Sequence, residues 1–124
     1  MMGELDHQAV DLKKAGIFPI VHGTRSLALG EHVQATGTQS RIEALVAAGT
    51  LSTELATDLV DSLHFLMGLK LKAGLAELDA GLAISGGVRS DRLSSLERDL
   101  LKDALAVVKR FKAIVRNRFH LDAA

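Results

Sequence analysis

Cysteine, tryptophan and tyrosine are absent from the 124-residue chain, and proline occurs once. Without cysteine there can be no disulfide framework, no thiolate nucleophile and no Cys-ligated zinc. With aromatics at 3% of residues, all of them phenylalanine, a core has to be built from Leu, Ala, Val and Ile. A single proline leaves long helices uninterrupted. Charge of one sign is also missing: 15 basic and 15 acidic residues cancel. A generic nucleic-acid binder is usually basic, so that class is disfavoured. No apolar run approaches the ~20 residues of a membrane span. No basic segment followed by an apolar one opens the chain, so no signal peptide is expected and the expected location is cytoplasmic.

What is present is aliphatic and periodic. Apolar residues make up 48% of the chain, enough for the core of one domain. Residues 1–16 read as a polar N-terminal arm or linker, 17–120 as a helical domain and 121–124 as a C-terminal tail. Asp11 to Lys14 suits the end of a strand or an extended arm, and Gly16 is expected to break it. Pro19 then falls near the start of an apolar run, where a missing N–H costs nothing, and a first helix is expected from about Phe18 to Leu29.

Thr38 is a candidate N-cap for a short second helix over Ile42, Leu45 and Val46, with Gly49 as its stop. Ser52 or Thr53 should cap a long third helix. Along it Leu55, Leu59, Leu63, Met67, Leu71, Leu75, Leu78 and Leu82 recur at intervals of three or four. Gly68 and Gly74 interrupt it at a cost of roughly 1 kcal/mol each relative to Ala, which close packing would offset. Ala83 to Asp91 is the main loop. Its Gly86-Gly87 has no preceding strand and no following Gly-Lys-Ser/Thr, so it is a connector and not a phosphate cradle. Ser94-Ser95-Leu96-Glu97 fits a capping box. The last helix should carry Leu96, Leu100, Ala104, Val107, Phe111 and Ile114 as its stripe, widened by Leu101, Leu105, Val108, Val115 and Phe119. No polar–apolar alternation supports a sheet. The expected fold is all-α: an up-down bundle of four main helices, two of them long and antiparallel.

Candidate chemistry is sparse. The histidines His7, His22, His32, His64 and His120 form no His-Glu-x-x-His or Glu-x-x-His pattern, so no metal and no cofactor is expected. His64 reads as a partly buried structural histidine. The cations near the C-terminal end of the last helix, Lys109, Arg110, Lys112, Arg116 and Arg118, complement a helix dipole, with a patch for phosphate or an acidic partner as the alternative. The main polar cluster is Asp11, Lys13, Lys14, His22 and Arg25. His22 and Arg25 lie three apart on one flank. A guanidinium suits phosphate or carboxylate as a planar fork, and lysine serves as a point charge.

Three ordered segments carry a family resemblance. Asp11-Leu12-Lys13-Lys14-Ala15-Gly16-Ile17-Phe18-Pro19-Ile20-Val21-His22-Gly23-Thr24-Arg25-Ser26-Leu27-Ala28-Leu29 resembles the opening of the putative nucleotidyltransferase substrate-binding domain. Thr38-Gln39-Ser40-Arg41-Ile42-Glu43-Ala44-Leu45 and Leu93-Ser94-Ser95-Leu96-Glu97-Arg98-Asp99-Leu100-Leu101 continue the match, from about Asp11 to Phe119. The resemblance implies an accessory domain of bacterial proteins that carry a nucleotidyltransferase-fold domain, paired CBS domains and often a cyclic-nucleotide-binding domain. It implies no enzyme activity in this chain, because the Gly-Ser start and the paired metal-binding acids of the catalytic fold are missing. The expected partners are a nucleotidyltransferase-fold domain, in cis or in trans, and a protein or small-molecule acceptor, in a signal-transduction setting. Lys13, Lys14, His22, Arg25 and Arg41 are the implied substrate-binding residues, although Arg41 and Arg98 equally suit structural pairing with acids. Ala73-Gly74 and Ser85-Gly86-Gly87-Val88 stand where members commonly carry bulkier polar residues or Pro and Asn. A helical oligomerisation or docking module, such as a homodimer, is the competing expectation.

Overall fold

A computed structural model describes the backbone of residues 9–123 and side chains to His120. The expectations for residues 1–8, including His7, and most of the 121–124 tail lie outside the described side chains. Four helices dominate: α1 (Phe18–Gly30), α2 (Thr38–Ala47), α3 (Thr53–Asp79) and α4 (Ser95–Ala123). In contact order α1 packs on α2, α2 on α3, α3 on α4 and α4 back on α1. The expectation of a purely helical chain is corrected by one small element. Strand β1 (Ala9–Asp11) pairs antiparallel with β2 (Gly87–Arg89), in the register Ala9–Arg89, Val10–Val88 and Asp11–Gly87. The loop expected over Ala83 to Asp91 therefore contains a strand. Three residues per strand are too short for alternation to be visible in the sequence, and the pairing partner lies 78 residues away.

The segment before Phe18 is packed from β1 onward. Leu12 is fully buried, and Lys13–Ile17 forms a π-helical turn that runs straight into α1. Pro19 explains the wider turn. It has no N–H to donate to Ala15, and its ring would press on that carbonyl, so the ladder is relieved by an i→i−5 bond from the Phe18 N–H to the Lys13 oxygen. Gly16, expected to break the chain, sits inside this turn instead. A Cβ there would lie 2.5 Å from Leu66 Cδ1, so its role is close approach to α3. Gly23 has the same role against α4, where a Cβ would meet the Phe111 ring at 2.7 Å.

The helix ends follow local chemistry. Ser52 Oγ accepts the Leu55 N–H at 3.1 Å and caps α3. The Ser94–Glu97 capping box is present in both directions, at 3.1 and 3.0 Å. Gly37, rather than Thr38, holds the N-cap position of α2, without a side-chain cap. Gly49 stops α2 at φ +80°, with Thr50 N–H reaching back to Leu45. The end of α1 uses the same turn, but with His32 at φ 58° in the left-handed position.

The core collects Leu12, Ile20, Leu45, Leu59, Leu66 and Phe111, each fully buried. In α3 the expected stripe is only half right. Leu55, Leu59 and Leu63 are buried, whereas Met67, Leu71, Leu75, Leu78 and Leu82 are exposed. The reason is geometric. Each step of four residues overshoots a 3.6-residue turn by about 40°, so five such steps wind the row to the opposite side of the helix. The buried line instead mixes threes and fours through Leu55, Leu59, Ser62, Leu66 and Leu69. In α4 the same effect leaves Leu96 and Leu100 exposed and buries Leu101, Ala104, Val108 and Phe111. Gly68 has nothing within 4 Å of a built Cβ, so no close packing offsets its cost; Gly74 is buried, with Ile84 at 3.6 Å. His64 is exposed, correcting the buried-histidine expectation.

Two ion pairs tie the long helices together in opposite order along their lengths. Lys72 meets Glu97 at 2.6 Å, and Arg110 approaches Asp58 at 4.0 Å. Arg118 binds Glu31 at the end of α1. The cations at the far end of α4 are thus partly spent on holding neighbouring elements.

Candidate functional site

The expected cationic cluster forms along the start of α1. Asp11 Oδ1 accepts the backbone N–H groups of both Lys13 and Lys14 at 3.1 Å, which anchors the start of the π turn that carries them. Lys13 Nζ lies 4.6 Å from the centroid of the Phe18 ring, and Phe18 meets His22 edge-on at 5.0 Å. An exposed phenylalanine thus couples two of the candidate residues through cation–π and edge contacts. Lys14, His22 and Arg25 are also exposed. Phe18, His22, Arg25 and Leu29 follow one another at intervals of four, three and four, so they line one face of α1. This ridge presents cationic and aromatic surface, with no carboxylate inserted between Phe18 and Leu29.

Arg41 does not join it. It sits on α2, half-buried, with Nε donating to the Ala35 carbonyl at 3.0 Å. Its role is to hold the α1–α2 connection. It does not pair with an acid, and Arg98 makes no ion pair among the described residues.

A second feature lies elsewhere. Between the C-terminal half of α3, the β-ribbon and the start of α4 is a cavity of about 390 Å³. Its apolar lining includes Leu69, Ala73, Val88, Leu93 and the exposed Ala76, and the exposed Lys72, Arg89 and Arg92 border it. Glu77 holds one wall in place by accepting from Ser85 N–H at 3.2 Å and Ser85 Oγ at 2.7 Å. The carboxyls of Glu97, Asp91 and Glu31 are all held below their usual range. The largest cause is a hydrogen bond from Lys72, Arg89 and Arg118 respectively. Among the described residues no group of three or more His, Asp or Glu side chains is placed to hold a metal ion. Among the described residues no helix is long and apolar enough to cross a membrane.

The family model described as "putative nucleotidyltransferase substrate binding domain" matches residues 2–119. The chain belongs to this family. Its name describes a substrate-binding rather than a catalytic unit, and it implies association with a nucleotidyltransferase domain. No curated protein and no solved structure matches the chain.

Within this substrate-binding domain, the structure brings Lys13 and His22 together through Phe18. Lys14 and Arg25 share the same exposed segment, and Arg41 is set apart. Sequence reasoning missed Phe18 as part of the ridge. The available signal was its fourfold spacing to both Lys14 and His22. It also missed the Lys72–Arg89–Arg92 edge. Arg89 and Arg92 are three apart, but Lys72 lies on α3, and no local spacing links it to them.

Proposed function

We propose that this chain is an accessory domain that holds an acceptor beside a separate nucleotidyltransferase-fold catalytic domain, in signal transduction, and does not itself transfer nucleotides. The observation that carries this reading is the exposed Lys13–Phe18–His22–Arg25 ridge at the entry to the helical body, within a family named for substrate binding. Cations on the π turn and on the adjoining face of α1 suit the phosphate or carboxylate groups that pass between two domains. Lys13, Lys14, His22 and Arg25 are the proposed contacts. The four helices are taken as an up-and-down bundle, which puts the ridge on a firm support.

The test couples the chain to its cognate catalytic domain and follows label transfer from α-labelled ATP or UTP to the acceptor with magnesium. The Lys13→Ala/Lys14→Ala/Arg25→Ala variant should raise the KM for the acceptor about tenfold or more, as expected for lost charge-assisted contacts, and leave the nucleotide KM nearly unchanged. Unaltered acceptor kinetics, or metal-dependent transfer by the purified chain alone, would overturn the reading.

A docking or oligomerisation role is favoured by a different observation. Met67, Leu71, Leu75 and Leu78 stand more than half exposed on one face of α3. Contiguous apolar surface of this kind marks interaction sites. Light scattering separates the readings: a tight dimer indifferent to nucleotide and acceptor supports docking, whereas a monomer that binds acceptor supports the accessory role.

A further inference from the structure

We propose that the cavity between α3, the β-ribbon and α4 binds a compact aliphatic acid, a ligand with a short apolar body and one carboxylate or phosphate group. The inference goes beyond the reading above, since none of the ridge residues lines this cavity. It rests on the cavity's shape, its lining and the charge balance at its edge.

The shape comes from side-chain size. The face of α3 that turns toward α4 carries Leu55, Leu59, Leu66 and Leu69 and closes on its neighbours there. Beyond Leu69 the same face continues with Ala73, Ala76 and Ala80, while the β-ribbon holds the facing wall in place. Exchanging leucine for alanine without bringing the elements closer leaves a space of about 390 Å³. That volume falls in the range of small-molecule sites, which are apolar with a few polar groups at defined positions.

The edge decides the charge. Lys72 is paired with Glu97 and Arg89 with Asp91. Glu77 accepts from Ser85, whose neutral donors leave its charge in place, and Glu97 also caps α4. The acids therefore already serve structural roles. Arg92, which lines the cavity and is exposed, takes part in no ion pair or side-chain hydrogen bond among the described residues. Lysine and arginine also keep donors beyond those used in a single pair. Among the described residues, Arg92 is thus the lining cation, and Glu77 the lining carboxylate, that no ion pair uses. An anion at Arg92, with its hydrocarbon on Ala73, Ala76 and Val88, would satisfy both parts of the site. A neutral ligand would leave the guanidinium as it is, and a polar body would leave the apolar lining unused.

The test measures binding by the full chain alone, by calorimetry or ligand-observed NMR, with octanoate, octyl phosphate, octanamide and AMP as probes. Octanoate, octyl phosphate or both should saturate one site, and which of them binds more tightly tells whether the natural headgroup is carboxylate or phosphate. Octanamide should bind at least tenfold more weakly. Arg92→Gln should weaken the anion about tenfold, as expected for one charge-assisted contact. Ala76→Phe, at an exposed position where the fold tolerates bulk, should fill the cavity and abolish binding. Lys102→Ala removes an exposed cation that does not line the cavity and should change nothing.

Failure of both octyl anions to bind would overturn the proposal. So would equal binding of octanamide, tighter binding of AMP than of either octyl anion, or undiminished binding by folded Ala76→Phe. Because no catalytic domain is present, these results are independent of whether the α1 ridge serves nucleotidyl transfer.

Discussion

Replacing Gly16 and Gly68 by alanine should move stability in opposite directions. Both glycines lie in helical segments, and helix propensity alone favours Ala over Gly by roughly 0.8–1.0 kcal/mol at either position. At Gly68 a new Cβ meets nothing within 4 Å, so the full gain should appear, about 0.5–1 kcal/mol. At Gly16 the new Cβ lies 2.5 Å from Leu66 Cδ1. Carbon pairs prefer about 3.5–4.0 Å, so Leu66 would have to retreat by about 1 Å. Leu66 is fully buried, so its retreat presses on the side chains packed around it. Overpacking of this kind costs about 1–3 kcal/mol, which outweighs the propensity gain and leaves a net loss of up to about 2 kcal/mol.

Urea unfolding of the two variants, with unchanged m-values, reads the signs directly. A double-mutant cycle with Leu66→Val refines the test. Trimming Leu66 costs about 1 kcal/mol in the parent and should cost less, or nothing, in the Gly16→Ala background, because it removes the clash. Gly16→Ala stabilising the chain as much as Gly68→Ala would refute the close approach of the π turn to α3. Additivity in the cycle would refute the identity of the contact.

His32 occupies a left-handed position at φ 58°, so His32→Gly should stabilise the chain by about 0.5–1 kcal/mol in the same urea assay. Ser94→Ala removes one arm of the capping box and should cost about 1 kcal/mol, with early fraying of α4 visible by hydrogen exchange. The pH dependence follows from three carboxyls, Glu31, Asp91 and Glu97, each depressed in the folded chain. Depressed acids bind fewer protons folded than unfolded. Their contribution is therefore fully present above the ordinary carboxylate range of about 4 and is lost as pH falls below it. Glu97→Gln should flatten the acid limb of a thermal-melt series between neutral pH and pH 3. An unaltered limb would show that the Lys72–Glu97 pair does not contribute there.

Much of the fold was legible locally. Composition excluded disulfides and Cys-based sites, and the caps at Ser52 and Ser94–Glu97 and the stop at Gly49 stand where their residue types indicated. Those features depend only on neighbours in the chain, so sequence determines them. The motifs around Asp11, Thr38 and Leu93 also sufficed for the family. The exposed α1 ridge was partly legible through spacing, which identified His22 and Arg25 but missed Phe18 between the two lysines and the histidine.

What tertiary structure alone decided depends on which elements meet. Leucines at successive fours look like one stripe, but helix geometry sends half of them to the outside, and only the packing of α4 and the π turn shows which half. Gly16 looked like a breaker because its neighbour across the core, Leu66, is fifty residues away. The β-ribbon and the cavity beside it arise from segments that begin at Ala9 and at Gly87, and Arg92 faces that hollow only because the ribbon closes. Sequence carries propensity and pattern along the chain; long-range contact, which costs chain entropy before it returns any burial, is settled only when the whole core assembles.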